Sequence, residues 1–433
     1  MDDDKELKEF ENLPEGWKRV KLGEVCKKLK AGGTPARDTP IYWGGNIPFA
    51  LVEDLTINKY LTSASETITE KGLKNSSAWM VPKNSILLSI YASLGELVIN
   101  KIDTTTNQAI LGMILKEEYH LEFIYYLLKF NKNNFEKFTT QTTQKNLNKK
   151  IVSELKFALP KSIVEQQKIA EILETIDNAI EKSDKIIEKY KRIKQGLMQD
   201  LLTKGIDENG NIRSEQTHKF KDSPLSRIPE EWEVVRLGEV CDINPERIKY
   251  ERGRIIKYID IESINNGNVS DYKIFKIEEA PSRAQRIVRE YDILISTVRP
   301  NLKAFTIIKP EYNYFICSTG FAVISSKSTI NPLFLFHVIW FDEIFLKQVL
   351  PLVVGSNYPA VNSKELINVL IPLPSLPEQQ RIAEILSQID QTIEKEQQYK
   401  EKLQKIKQGL MQDLLTGKVR VNHLINEGQN NEA

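Results

Sequence analysis

Apolar residues recur at alternating spacings of four and three along two segments of this chain, 162–204 and from 375 onward. This period predicts long α-helices that each carry one apolar stripe, a pattern typical of coiled coils. Gly205 and Gly417 follow the last periodic residues, as helix-ending glycines do. At 1.5 Å per residue each helix is about 60 Å long. The predicted stripe comprises Ile172, Ile176, Ile186, Tyr190, Ile193 and Leu197 in the first segment and Ile385, Ile389, Tyr399, Leu403, Ile406 and Leu410 in the second.

The two helical segments are copies of each other. Residues 165–203 and 378–416 align without a gap, and 26 of the 39 aligned positions are identical. A second repeat opens each half, where Pro-Glu-x-Trp precedes Leu-Gly-Glu-Val-Cys at 14–26 and 229–241. Between these anchors the halves barely match. The chain is therefore predicted to be a tandem duplication in which one scaffold carries two different variable regions.

The starts and the partners of the helices can also be predicted. Ser162 and Ser375 each precede a glutamate by three residues, which is the spacing of a capping box. An apolar stripe needs a partner, and we expect the two copies to pair antiparallel within the chain. The alternative is that each helix packs only on its own domain. Gly196 and Gly409 lie inside the helices, where glycine costs about 1 kcal/mol relative to alanine, and this favours close approach to another helix or subunit unless shared ancestry alone explains it.

The diverged regions contain short β-like runs, such as 85–90 and 292–296, separated by short helical patches. We predict an α+β fold with two globular domains and two long antiparallel coiled-coil helices, arranged as a pseudo-two-fold internal repeat. The predicted boundaries are 1–161 for the first domain and 162–204 for the central helix. Residues 205–374 form a linker and the second domain, and 375–433 form the distal helix and tail.

Composition restricts the class of protein less than the repeat does. The chain has 433 residues, a net charge of +1 and 27% charged residues, which is ordinary for a globular protein. Its three cysteines indicate a reducing compartment, so we expect a cytoplasmic protein, and we expect Cys26 and Cys241 to be core thiols. No apolar run is long enough for a membrane span, and no signal peptide is recognisable.

Polar, basic and aromatic side chains cluster in the predicted loops of both variable regions. Glutamine, asparagine and serine can hydrogen-bond base edges, and lysine and arginine neutralise phosphates. Taken singly, each loop is more often simply solvated. The candidate DNA-binding residues are Lys27, Lys30, Arg37, Tyr91, Gln141, Gln144, Lys145, Asn146 and Lys149 in the first region and Arg247, Arg299, Lys303, Ser356, Asn357 and Tyr358 in the second.

Motifs for catalysis are missing from the sequence. It has neither a GxxxxGK[ST] phosphate loop nor an HExxH motif, and its four histidines are scattered. We therefore expect no catalytic residues and no metal site on this chain.

The duplicated motifs resemble the specificity subunits of type I restriction enzymes. The resemblance is carried by P-E-x-W…L-G-E-V before each variable region and by E-Q-Q-[KR]-I-A-E-I-L…K-Q-G-L-M-Q-D-L-L-T after it, and it covers nearly the whole chain. It implies a non-catalytic subunit whose two target-recognition domains each read one half of a split site in double-stranded DNA. The helix pair would set the spacing between the half-sites.

The resemblance also implies partners. Two modification subunits would dock on the helices and methylate adenine with S-adenosylmethionine. Restriction subunits with ATP- and Mg²⁺-dependent translocase and nuclease activity would join them, and none of these cofactors would bind this chain. The residues themselves leave two alternatives open: a coiled-coil scaffold without a DNA role, and a stand-alone nuclease or methyltransferase, which the missing motifs disfavour.

Overall fold

A computed structural model describes residues 13–91, 93–137, 147–265, 267–355, 357 and 359–425. The chain forms two compact units. The first comprises the described residues up to Asp184 together with those from Tyr399 onward, and the second is Lys185–Gln398. The first long helix spans Ile163–Leu201 and the second spans Leu376–Leu415. Each long helix is therefore divided between the two units.

The first unit contains a mixed sheet whose strands follow the order Cys26–Ala31, Ile110–Leu115, Ser85–Ser89, Leu97–Asn100 and Tyr60–Leu61. Its neighbours are antiparallel except for the last pair, which is parallel. A smaller sheet has the order Glu66–Ile68, Trp43–Ala50 and Thr105–Thr106, and a separate ribbon pairs Trp17–Lys21 with Lys156–Pro160. Shorter helices lie at Leu22–Val25, Glu70–Lys74, Leu121–Phe130, Lys132–Lys137 and Lys149–Glu154.

The second unit contains an antiparallel sheet in the order Cys241–Ile243, Phe321–Ser326, Ile293–Ser296 and Phe305–Ile307. A second sheet has the order Lys273–Lys276, Ile255–Ile259, Ile316–Ser318 and Ala284–Ile287. Ribbons pair Glu233–Arg236 with Leu370–Leu373, Phe220–Asp222 with Arg227–Pro229, and Ile264–Asn265 with Asn268–Val269. Its shorter helices are Leu237–Val240, Pro332–Trp340 and Leu346–Val349.

The two variable regions share one topology although their sequences barely match. In both units the strand that begins at the repeated cysteine pairs with the same succession of antiparallel neighbours. In both, the second sheet joins an antiparallel strand pair to a third strand that runs parallel to its neighbour. The predicted α+β class and internal duplication are thus confirmed.

The repeated Leu-Gly-Glu-Val motif forms a one-turn helix in each unit. Glu24 accepts a hydrogen bond from the Lys21 backbone amide at 3.0 Å, and Glu239 accepts one from Arg236 at 3.2 Å. The leucine and valine of both copies are buried. The motif therefore turns the chain from the ribbon beside the long helix into the first strand of the sheet.

In the first unit, the start of the first long helix packs against the end of the second. Ile169 and Leu173 share a hydrophobic core with Leu414. Asp177 forms an ion pair with Lys407. Because early residues of one helix meet late residues of the other, the two segments run antiparallel within this unit.

The second unit repeats this packing with the roles of the helices exchanged. Met198 of the first long helix shares a core with Leu386 of the second. Lys194 Nζ lies 2.5 Å from Asp390 Oδ1, and these residues are the repeat counterparts of the ion pair in the first unit. A lysine–aspartate pair thus fixes the helix register in each unit, as polar pairs in helix interfaces commonly do.

The predicted apolar stripe is displaced by about one position. Ile193, Tyr399 and Ile406 are 38%, 52% and 42% exposed, so their assignment to the seam is wrong. Leu403 is buried, and the remaining predicted seam residues are half-buried. Apolar residues occupy adjacent positions at several points of each helix, so the same period is compatible with two neighbouring apolar stripes. The choice between them is made by the globular domain, whose core takes up Ile169, Ala170 and Leu173.

Candidate nucleic-acid interface

A buried polar cluster joins the repeated motifs of the first unit. Trp17 donates from Nε1 to Glu165 Oε1 at 3.4 Å. Arg420, which follows the second long helix, binds the two oxygens of the same carboxylate at 2.7 and 3.0 Å. Both Trp17 and Glu165 are buried. One carboxylate thus connects the start of the domain, the start of one helix and the segment after the other helix.

The second unit builds the same cluster from its own copy. Trp232 donates from Nε1 to Glu378 Oε2 at 3.1 Å, and Arg213 pairs with this carboxylate. The backbone amide of Ile206 donates to Glu378 Oε1 at 2.9 Å. Both tryptophans are buried, and each donates a hydrogen bond to the glutamate of its unit.

These contacts correct the capping-box prediction. The Ser162 hydroxyl accepts a weak 3.4 Å bond from the Glu165 amide, which is half of the motif. The glutamate side chains bind tryptophan and arginine instead of returning to the helix start. A charged guanidinium is a stronger partner for a carboxylate than a neutral backbone amide.

The glycines that end the long helices lie beside these clusters. Gly205 and Gly417 have φ values of +65° and +73°, which confirms their predicted helix-ending role. A Cβ on Gly205 would collide with Glu378 and Trp232, and one on Gly417 would approach Trp17 to 3.0 Å. Glycine is therefore required both by the left-handed backbone and by the space.

The glutamine that follows the buried glutamate in each copy of the repeated motif positions the short helix of its domain. Gln166 accepts from the His120 amide at 2.9 Å, and His120 immediately precedes the helix Leu121–Phe130. Gln379 accepts from the Asn331 amide at 2.7 Å, and Asn331 caps the helix Pro332–Trp340. The repeated sequence thus holds equivalent parts of two domains whose surfaces differ.

Backbone hydrogen bonds at Ile90 bring three separate segments of the first unit together. The Ile90 amide donates to Ala109 O at 2.8 Å, and its carbonyl accepts from the Leu147 amide at 3.1 Å. Three loops are therefore joined at one residue. They are the loop after the strand Ser85–Ser89, the turn after Thr106 and the two residues, Leu147 and Asn148, that precede the helix Lys149–Glu154.

The second unit has the same three-loop junction at Thr297. The Thr297 amide donates to Gly320 O at 2.8 Å, and its carbonyl accepts from the Val361 amide at 2.9 Å. The side chains around the two junctions differ. The two units therefore share a backbone junction that carries unlike side chains.

Two strained residues bracket a short turn beside the second junction. Arg299 and Lys303 have φ values of +47° and +51°, and they flank the 3₁₀ turn Pro300–Leu302. Left-handed backbone is costly for residues other than glycine and persists only where the surroundings enforce it. Arg299 is exposed and donates from Nη2 to Asn357 O at 3.3 Å. The structure thus brings together two of the predicted DNA-binding residues.

Lys303 is held by the protein itself. Its ammonium donates to Trp340 O at 3.3 Å and forms an ion pair with Asp342. This geometry fits a positioning role for the turn better than a direct phosphate contact. Arg247 is exposed and forms a β-bridge with Arg286.

The predicted residues of the first unit lie on different surfaces. Lys27 and Lys30 are exposed on the strand Cys26–Ala31, and Lys149 is exposed at a helix start. Tyr91 is half-buried and packs on the main core. Arg37 stacks 3.9 Å above the Trp43 ring, and its Nη1 lies 2.7 Å from Glu66 Oε2. The remaining candidates lie outside the described residues: Gln141, Gln144, Lys145, Asn146, Ser356 and Tyr358.

Sequence reasoning missed two features of these surfaces. Lys28 Nζ lies 4.1 Å from the centre of the Trp79 ring and Lys30 Nζ lies 5.9 Å from it, so two exposed lysines lie beside a buried tryptophan. The alternation of lysines on one strand face was the available signal, but nothing local to the sequence places Trp79 there. In the second unit, Arg286 is buried without an acidic partner among the described residues.

The cysteines are free and buried, and Cys26 and Cys241 are confirmed as core residues. Burial raises the pKa of each thiol to about 12. Within the described ranges, no group of three or more His, Cys, Asp or Glu side chains is placed to hold a metal ion. No helix in the described part of the chain has an apolar stretch of the length that a bilayer requires.

Two domains of like topology and unlike surface, on helices that carry the same motif, define a duplicated recognition protein. The chain belongs to the family of the type I restriction modification DNA specificity domain, whose model matches residues 14–191 and again 229–405. The resemblance carried by the repeated motifs is thereby confirmed.

Relatives and solved structures agree with this family. The chain is 30% identical over 424 residues to the MjaVIII specificity subunit of Methanocaldococcus jannaschii, with 95% of both chains covered. It is 25% identical to the EcoDI specificity subunit of Escherichia coli, covering 89% of this chain and 84% of the relative. The S subunit from M. genitalium has the same fold, with a TM-score of 0.59, 17% identity and coverage of 94% and 97%.

Proposed function

We propose that this chain is the non-catalytic specificity subunit of a type I restriction–modification complex and that each unit reads one half of a bipartite site in double-stranded DNA. The observation that carries the proposal is the three-loop junction, which recurs at Ile90 and Thr297 with different side chains around it. A duplicated frame with unlike loops suits a site whose halves differ in sequence.

The side chains near the junctions have the chemistry that DNA requires. Lys28 and Lys30 are exposed beside the buried Trp79 in the first unit, and the strained turn presents Arg299 in the second. Phosphate contacts from such residues determine position, and base-edge contacts determine sequence. The net charge of the whole chain is close to zero, so local surfaces rather than composition would attract the duplex.

The long helices would bind the partner subunits and set the spacing between half-sites. Gly196 and Gln199 are exposed, as are their counterparts Gly409 and Gln412. A Cβ on either glycine would meet nothing within 4 Å, so the predicted close approach of another helix of this chain is wrong. Two identical exposed surfaces instead suit two copies of one modification subunit.

Other partners complete the proposal. A solved chain of the same fold, with a TM-score of 0.54 and 18% identity, comes from work on complex assembly and conformational transition of the type I R-M system. By analogy, restriction subunits would join the modification subunits on this chain. S-Adenosylmethionine, ATP and Mg²⁺ would be ligands of those partners.

The test is a map of methylated adenines made by the complex of this chain with its modification subunit. The wild-type complex should modify a bipartite sequence with an unread spacer. Deleting seven residues from the middle of both long helices should change the spacer while the bases read in each half stay the same. A control variant, Glu384→Gln on the exposed side of the second helix, should leave both unchanged.

Altered bases at unchanged spacing would contradict the role of the helices. A complex that binds duplexes without salt dependence, or not at all, would favour a scaffold instead, because phosphate contacts make binding weaken steeply with salt.

A further inference from the structure

Arg286 is a buried charged side chain that lacks an acidic partner in the described part of the second unit. It lies on the strand Ala284–Ile287 and is only 9% exposed. Its Nε and Nη1 atoms are buried and have no hydrogen-bond partner. A guanidinium stays charged at any ordinary pH, so it cannot relieve this situation by losing a proton.

The neighbours of Arg286 do not neutralise it. Its partner across the sheet is Cys317, whose burial raises the pKa of the thiol to about 12 and keeps it uncharged. On its other side, Arg247 forms a β-bridge with Arg286. Burial lowers the pKa of Arg286, and the like charge of Arg247 lowers it further. Within the described ranges, neither arginine lies within 4.0 Å of a carboxylate.

This charged site adjoins the three-loop junction. The strand Ile316–Ser318, which pairs with the strand of Arg286, runs directly into Thr319 and Gly320. The Thr319 amide donates to Arg283 O at 2.8 Å, and Gly320 O accepts from Thr297. The two arginines are thus connected by backbone hydrogen bonds to the surface that we propose reads DNA.

Among the described residues of the first unit, no pair of arginines lies at the corresponding edge of the second sheet. At the corresponding edge of its second sheet, Val81 forms a β-bridge with Thr104. The shared topology can therefore be built without a buried arginine here.

We propose that Arg286 and Arg247 form a binding site for a backbone phosphate of duplex DNA. The assignment rests on the proposed function, because it takes the occupant to be the DNA that the second unit reads. A phosphate would bring a negative charge to two neighbouring arginines that have no acidic partner among the described residues, and arginine binds phosphate by charge-assisted hydrogen bonds.

Two measurements test the site. Each is made on the variants Arg286→Met and Arg247→Gln and on a control variant, Arg236→Gln. The control removes one exposed arginine of the same unit, away from this sheet. In the first, the melting temperature of the full chain is compared in inorganic phosphate and in chloride at equal ionic strength. Phosphate should stabilise the wild type and the control more than either test variant, and Arg286→Met should not melt lower than the wild type in chloride.

The second measurement is the affinity of the complex with the modification subunit for a duplex that carries its mapped site. Arg286→Met should weaken binding by about 10- to 100-fold, as expected for lost charge-assisted hydrogen bonds. The slope of log K against log salt should become shallower by about 0.9 for one lost phosphate contact. Arg247→Gln should act in the same direction.

The outcomes separate this proposal from the proposed function. Equal phosphate stabilisation in the wild type and Arg286→Met, or a loss of stability in chloride, would show a structural cation and overturn the site. Stabilisation that depends on Arg286 without a change in duplex affinity would overturn its assignment to DNA. If the wild-type complex binds no duplex, the proposed function fails, while the phosphate measurement still decides whether the anion site exists.

Discussion

The two buried tryptophan–glutamate–arginine clusters predict unequal effects of the same substitution. In the second unit, Arg213 and Glu378 have side chains that are only 8% and 9% exposed. In the first unit, Glu165 is 3% exposed but Arg420 is 26% exposed. Changing either glutamate to glutamine removes the counter-charge of an arginine. The consequence depends on whether that arginine can then be hydrated.

For Glu378→Gln, the remaining acidic partner of the buried Arg213 among the described residues is Glu231, at 3.2 Å, whose side chain is mostly exposed. Breaking a buried pair costs about 3–5 kcal/mol, and the remaining contact favours the lower end. For Glu165→Gln, water can reach Arg420, and the loss should be about 1–2 kcal/mol, near the value of a hydrogen bond to a charged group. The second unit should therefore lose more stability than the first.

Hydrogen exchange measured by mass spectrometry resolves this difference because each unit supplies its own peptides. In the second unit, a loss of about 3 kcal/mol in stability should speed exchange by more than about 100-fold in peptides that contain Ile206, whose amide donates to Glu378. In the first unit, peptides of the strand Trp17–Lys21 should exchange about 5- to 30-fold faster. Glu384→Gln, at an exposed position of the second long helix, should change neither.

A double variant provides the internal check. Arg213→Met combined with Glu378→Gln removes both charges and should recover part of the stability lost in Glu378→Gln. Equal losses in the two units, or a strictly additive double variant, would refute the argument that burial of the arginine determines the cost.

Two further predictions concern buried titratable groups. Burial raises the pKa of the thiols of Cys26, Cys241 and Cys317 to about 12. These thiols should therefore resist a disulfide reagent at pH 8 in the native protein and react fully in denaturant. Rapid labelling of the native protein would contradict their burial. Burial, with a smaller effect of Lys194, lowers the pKa of His337 to about 3, and its Nδ1 lies 3.9 Å from Asp390 Oδ2. Because the unfolded chain binds this proton more readily, the free energy of unfolding should fall by up to about 1.4 kcal/mol per pH unit from about pH 6.5 downward. His337→Gln should remove this slope in melts recorded at several pH values, whereas His423→Gln, at an exposed position, should retain it.

The sequence predicts those parts of the fold that depend on local patterns. The long helices and the glycines that end them can be predicted because a helical period is a property of nearby residues. The duplication can be predicted because it appears when the chain is aligned with itself. The seam is predicted less well. Ile172 and Leu173 are adjacent and both apolar, and only packing with the rest of the domain buries the second more deeply.

The interface shows the same division. Arg299 and Asn357 could be chosen from loop composition, and the structure brings them together. The role of Glu165 and Glu378 was misassigned because their partners lie far away in the chain. Arg286 could not be found at all, since its significance depends on the absence of a partner in three dimensions.

The division of the chain has a consequence for biosynthesis. The second unit is continuous in sequence, whereas the first requires the residues from Tyr399 onward. A ribosome therefore delivers everything the second unit needs before it delivers the closing piece of the first. The domain translated first should be the last to reach its native state, and until then its exposed Leu173 face needs protection from aggregation.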